Sequence, residues 1–246
     1  MSKIITSFVL IFFLQSVIAQ NDQGVITYER KMYWINVSSK LPWMTQAEID
    51  RDKLTWGKRQ GRWSETYDLS FTPTASLYKE KESEESMGYS RRDGNFLMLR
   101  DYKAKTVRDN LTLVDRDYLV EGDIPAFKWK ILNEIREIQG FLCMKALTSD
   151  PVKDVPVYAW FTDQIPVPGG PEGYGGLPGM ILALEIGPDG VFIEATKVDL
   201  ESTAVISFPK KAKGKKVDVT EYQEKVKENI AKAIANKRNP FWYVRY

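Results

Sequence analysis

Between residues 24 and 200 the chain is a succession of short runs rich in β-branched and aromatic residues, cut at close intervals by turn signals. That pattern points to an antiparallel sheet in which successive strands meander. Across residues 24–37, Ile26, Tyr28, Arg30, Met32 and Trp34 alternate with Val25, Thr27, Glu29, Lys31 and Tyr33, which predicts one long strand. Trp63, Glu65, Tyr67 and Leu69 share one side of the next run, and Asp93-Gly94 is a hairpin signal. Residues 141–150 and 155–165 read as further strands. Gly187-Pro188-Asp189-Gly190 separates two runs of similar length. The first of these, residues 180–186, is apolar on both faces except at Glu185, so it is expected to be covered on both sides.

Two segments carry a helical signature instead. Thr45 and Glu48 form a capping-box pattern and predict a short helix over residues 46–54. Tyr222, Val226, Ile230, Ala233 and Ile234 recur at helical spacing and predict an amphipathic helix over 221–237, with Thr220 and Gln223 as its cap. Lys237 and Arg238 suit its C-terminal end, and Asn239-Pro240 stops it. Four aromatics fall in the closing residues 241–246. There is no internal repeat and no long linker, so residues 20–246 are expected to form one β-rich domain: a single curved antiparallel sheet, bowl-like or half-barrel, partly closed by a helix.

The first residues read differently. Lys3 precedes an apolar run, and Val17-Ile18-Ala19 supplies small residues before Gln20. Residues 1–19 are therefore expected to be a secretory signal, too short to span a bilayer, leaving a periplasmic or secreted chain with no lipid anchor. A single cysteine, Cys143, gives such a chain no internal disulfide framework. Histidine is absent, which excludes a Ser-His-Asp triad, a Cys-His pair and histidine-ligated zinc. A formal net charge of +2 makes no electrostatic case for nucleic acid.

The candidate functional residues are few. Residues 166–179 hold six glycines and four prolines and run into the apolar segment. The stretch lacks the lysine and hydroxyl residue of a phosphate loop and precedes a strand rather than a helix, so it reads as a rigid turn. Within it Gly175, Gly176 and Gly179 are expected to need positive φ or close backbone approach, and Leu177 to pack inward. Cys143, between Leu142 and Met144, reads as a buried small side chain. Asp163, Glu172, Glu185, Glu194 and Asp199 are the carboxylates from which an acid–base pair could be drawn, although surface charge is the simpler reading. Lys210, Lys211, Lys213, Lys215 and Lys216 form a basic cluster that could contact an anionic group or simply be solvated.

The stretch "GGLPGMILALEI" resembles the signature of the GLPGLI family, with Met180 where the family name has leucine. "FKWKILNEIREIQGFLCMKALTS", "VYAWFTDQIPVPGGPEGYGGLPG" and "YDLSFTPTASLYKE" extend the likeness over most of residues 24–200. The resemblance makes Cys143, Gly175, Gly176, Leu177, Pro178, Gly179, Met180 and Ile181 the motif residues. It implies a Bacteroidota-type envelope or secreted protein. It also implies a bowl-like β fold similar to lipoprotein carriers and to the accessory N-terminal domain of some exported glycan-removing enzymes. It carries no reaction and no cofactor. The expected role is non-catalytic binding or carriage, with a peptide, a lipid or another envelope protein as partner. A carboxylate-dependent hydrolase and a structural subunit of an outer-membrane assembly are the alternatives.

Overall fold

The computed structural model describes residues 22–59, 64–81 and 96–242. The expected signal sequence, Trp63, the Asp93-Gly94 turn and the last four residues lie outside them.

The chain is mainly β. The first six strands are β1 (Gly24–Met32), β2 (Ser64–Phe71), β3 (Ala75–Glu80), β4 (Phe96–Asp101), β5 (Thr106–Leu113) and β6 (Arg116–Asp123). The rest are β7 (Lys130–Ile138), β8 (Phe141–Asp150), β9 (Val155–Thr162), β10 (Met180–Ile186), β11 (Val191–Asp199) and β12 (Lys215–Val217). The helices are α1 (Trp34–Ser38), α2 (Gln46–Trp56) and α3 (Val219–Ala235). The strands form one sheet in the order β12-β6-β5-β4-β3-β2-β1-β11-β10-β9-β8-β7. It is two antiparallel meanders, β1 to β6 and β7 to β11, joined where β1 pairs with β11. Only the short β12 runs parallel to its neighbour, β6.

Connectivity shows how strongly the sheet curls. β6 and β7 are consecutive in the chain yet lie ten strand positions apart, about 48 Å in a flat sheet. Residues 124–129 join them and can reach only about 25 Å. The sheet must therefore bend round into an open half-barrel, with this connection spanning its open side. Arg136 on β7 reaches Glu194 on β11 at 2.9 Å, four strands away, which also requires the bend.

The inner face follows from register. Tyr28 pairs with Tyr67, Leu69 with Tyr78, Tyr78 with Met98 and Met98 with Asp109, which puts these side chains on one side of the sheet. Tyr67 and Tyr78 stack at 5.1 Å, and Tyr28 and Phe96 meet Tyr78 edge-on. Such aromatic pairs add about 0.5–1.5 kcal/mol each beyond the area they bury. The Tyr28 hydroxyl donates to the Ile181 carbonyl at 2.6 Å, tying β1 to the start of β10. β10 is buried along its length except at the half-buried Glu185, as its two-sided apolar pattern requires.

Two expectations need correction. The strand predicted over residues 24–37 stops at Met32, and Trp34–Ser38 is helical. Alternation continues in the sequence, but pairing partners run out: Met32 faces Val191 at the start of β11, and Lys31 faces Ser64 at the start of β2. Unpaired backbone is costly to bury, and a helical turn satisfies it locally while burying Ile35 and Val37. The cap of α3 is Asp218, not Thr220; its side chain accepts from the Glu221 N–H at 2.7 Å, so the helix starts two residues earlier than expected. The capping box of α2 forms as predicted, although α2 has no buried residue. α3 lies against β6, where Tyr222 meets Tyr118 edge-on at 5.6 Å and Val226 is buried.

Cys143 is fully buried in β8, and its thiol donates to the Phe141 carbonyl at 3.4 Å. Burial, opposed by the charge of Arg136, pushes the thiol up to about 11. The native thiol is accordingly expected to resist a polar maleimide at pH 8 and to react fully in denaturant. Cys143→Ala should cost on the order of 1 kcal/mol.

Candidate functional site

The glycine- and proline-rich segment folds back onto the inner face. It leaves β9 at Thr162, makes a single 3-10 turn at Pro171–Gly173, and enters β10 at Met180. Its backbone bonds to itself and to β10: the Gly176 N–H to the Pro168 carbonyl (3.0 Å), Met180 to Ile165 (3.0 Å) and Ile181 to Gly169 (2.9 Å). Side chains from distant strands hold it down. The Trp129 indole donates to the Gly175 carbonyl at 2.9 Å. The Tyr174 ring packs on Phe127 at 4.8 Å, and its hydroxyl donates to Asp150 at 2.9 Å. Glu172, at the tip, meets the buried Arg30 at 3.6 Å and accepts from Tyr78 at 3.5 Å. Arg30 also pairs with Glu65 at 3.3 Å.

Between this segment, the β4–β6 strands and α3 the half-barrel keeps a cleft of about 220 Å3. Its apolar walls include Phe96, Met98, Leu111, Val120, Phe127 and Val226. Arg100 and Asp109 line it as a buried, hydrogen-bonded pair, and Arg100 also donates to the Leu99 carbonyl. Burial pushes the Asp109 carboxyl above its usual range, and Arg100 only partly offsets this. Asp150 at the rim behaves oppositely. Burial pushes it up, but the charge and hydrogen bond of Lys153 and the backbone N–H groups of Lys153 and Val152 together hold it below the usual carboxylate range. Tyr174 is raised well above its usual value, first by burial and then by the charge of Asp150.

Asp150 thus staples the loop to the end of β8, and this has a pH signature. Its folded pKa is depressed, so its contribution is complete above the unfolded value of about 3.9 and disappears as pH falls through the lower folded value. Asp150→Asn is expected to lose about 1–3 kcal/mol at pH 7. Denaturant titrations of parent and variant should begin to converge as the pH falls below about 4 and meet only below the depressed folded value; a gap that stays constant with pH would show that the charge contributes nothing.

The motif residues fall together around this loop. Leu177 is 3% exposed and Met180 and Ile181 are 0% exposed, whereas Pro178 and Gly176 face outward. Gly176 has φ +84° and Gly179 φ +147°; a side chain at Gly175 would lie 2.5 Å from the Pro168 carbonyl oxygen. Cys143 lies in the same core cluster as Leu177. The basic cluster is elsewhere. All five lysines are exposed; Lys215 pairs with Glu221 (3.2 Å) and Lys216 with Glu121 (3.8 Å). Of the candidate carboxylates only Glu172 lines the cleft; Asp163 is exposed, Glu194 pairs with Arg136, and Asp199 pairs with Lys197 at 2.7 Å. Among the described residues no group of three or more acidic or cysteine side chains is placed to hold a metal.

Arg100 and Asp109 are not singled out by motif. Their signal is subtler: each is a charge at an inward position of an otherwise apolar alternation, Phe96-Met98-Arg100 on β4 and Val107-Asp109-Leu111 on β5.

A family model described as a protein of unknown function (Porph_ging) matches residues 150–183, the span from Asp150 through the loop into β10. No curated protein matches the chain. Among solved structures the chain is similar to PNGF-II. In its C2 crystal form the TM-score is 0.51 at 14% identity, covering 82% of this chain and 32% of that one. In the P21 form the TM-score is 0.50, with the same identity and coverage. The chain spans about a third of the PNGF-II length, and the likeness is one of fold.

Proposed function

We propose that this chain is an exported envelope protein of the GLPGLI type that binds a small apolar ligand in the cleft of its half-barrel, without catalysing a reaction. The cleft carries the reading. Its walls are apolar, and each carboxylate that lines it is held within the fold: Asp109 by Arg100, Asp150 by Lys153 and Tyr174, and Glu172 by Arg30 and Tyr78. Carboxylates engaged in this way anchor structure, whereas a hydrolytic pair needs two carboxyl groups facing a substrate. The Porph_ging match over the loop is consistent with a Bacteroidota-type family.

Toluene tests the binding claim. Near-saturating toluene is expected to raise the parent melting temperature, since any ligand selective for the folded state stabilises it by mass action. Gln223, half-buried on α3, lines the cleft. Gln223→Trp should fill the space, melt like the unliganded parent and lose the toluene response. An equal response in both proteins would place the binding elsewhere. Export is tested separately: N-terminal sequencing of the native protein should begin at or near Gln20, and a retained Met1 in an envelope fraction would reject the signal sequence.

A further inference from the structure

Resting on that reading, we infer that the cleft takes an uncharged apolar ligand bearing one carbonyl group, an ester or an amide, whose oxygen is received by the Arg100 guanidinium. Arg100 is 8% exposed and lines the cleft. Its Nη1 is used by Asp109 and the Leu99 carbonyl, whereas its Nη2, which makes no hydrogen bond among the described residues, lies beside Gly173 in the cleft lining. A buried guanidinium with an unused donor calls for an acceptor, because leaving such a group unsatisfied costs free energy. Gly173 belongs to the same arrangement: any side chain there would strike the Arg100 Nη2, so the glycine lets the loop close over the cation.

Charge decides which acceptor. Arg100 is already neutralised by Asp109, and Lys153 by Asp150. The remaining carboxylate in the lining, Glu172, meets Arg30 behind the wall. No excess positive charge is left to offset the desolvation of an anion. A neutral carbonyl oxygen needs none and can still accept from Arg100. Size sets the body: a cavity of about 150 Å3 lined by apolar side chains admits benzene. A cleft of about 220 Å3 walled by Phe96, Phe127 and Tyr222 has room for a ring or short acyl chain of that order plus one functional group.

The test is a matched series of four probes, toluene, methyl benzoate, N-methylbenzamide and benzoate, titrated into the full-length protein by calorimetry. Methyl benzoate or N-methylbenzamide should bind about tenfold tighter than toluene, the scale of one hydrogen bond to a charged donor, and whichever is tighter identifies ester or amide as the source. Benzoate should bind no tighter than toluene. In the double variant Arg100→Met/Asp109→Leu methyl benzoate and N-methylbenzamide should bind no tighter than toluene. Arg100→Lys, which keeps a cation beside Asp109 but lacks the second terminal nitrogen, should lose most of the advantage and provides a second variant if the double one folds poorly. Equal binding of toluene and both carbonyl probes would overturn the ligand class and leave the apolar cleft standing. Benzoate binding tightest would overturn its neutrality. A carbonyl advantage that persists in both variants would overturn the role of Arg100. Failure of all four probes to bind would overturn the cleft reading itself.

Discussion

Gly179→Ala is expected to lower the melting temperature by more than about 10 °C, whereas Gly176→Ala three residues earlier lowers it by only about 2–8 °C. Both glycines have positive φ, +147° and +84°. Backbone strain at such positions costs on the order of 1–3 kcal/mol for a residue with a Cβ, and does not by itself account for a large difference between them. Space separates them. At Gly176 nothing lies within 4 Å of the position a Cβ would take. At Gly179 a Cβ would strike the Thr162 carbonyl oxygen, with the Thr162 carbonyl carbon at 2.7 Å and the Asp163 Cα at 2.9 Å. Those atoms are backbone at the end of β9, where Met180 pairs with Thr162, and they cannot yield without breaking the β9–β10 ladder. The substitution should therefore cost roughly 4 kcal/mol, in the range that marks a named structural defect. Thermal melts of the two variants decide the matter. Similar small losses would show that the loop adapts and is not the wedge that sets the entry of β10.

The fold could be read from sequence wherever the determinant was local. Alternation locates β1 and β2, β-rich runs locate β8 and β9, Thr45 with Glu48 locates α2, and the two-sided apolar run at 180–186 foretells the buried β10. Errors arose where tertiary structure overrode a local pattern. Alternation through Trp34 could not reveal that the partners of β1 end at Val191 and Ser64. Thr220 could not be ranked against Asp218 without knowing where β12 releases the chain. The cleft was harder still. Its walls come from β4, β5, β6, α3 and a loop that precedes α3 by about 45 residues. Nothing in the local pattern says that residues 124–129 pull the two ends of the sheet together. Glu172 is visible as a candidate, but its role is not: Arg30, its partner, lies on β1, where the sequence shows it only as one member of an alternating set.

Arg100→Met should destabilise the protein by about 3–5 kcal/mol at pH 7, and the loss should shrink as the pH is lowered. Asp109 is 4% exposed, and its charge is compensated inside the fold by Arg100. Removing the guanidinium leaves a buried carboxylate that must either stay charged at high cost or take up a proton. The sign follows from the direction of the shift. Burial raises the folded pKa of Asp109, so the ionised group is a liability above its unfolded value, and stability returns as pH falls through the raised folded value. Taking away Arg100 removes the opposing influence and moves that recovery to higher pH. Denaturant midpoints of Arg100→Met at pH 7 and pH 5 should therefore approach those of the parent at the lower pH. The double variant Arg100→Met/Asp109→Leu removes both charges and fills similar volume, so it should fall within about 1–2 kcal/mol of the parent and show no such pH dependence. A single variant as stable as the parent at pH 7 would mean that Asp109 is already protonated there and that the pair is no ion pair. The same result would leave Arg100 with its full charge uncompensated in the cleft, and the preference there would turn from a neutral carbonyl to an anion.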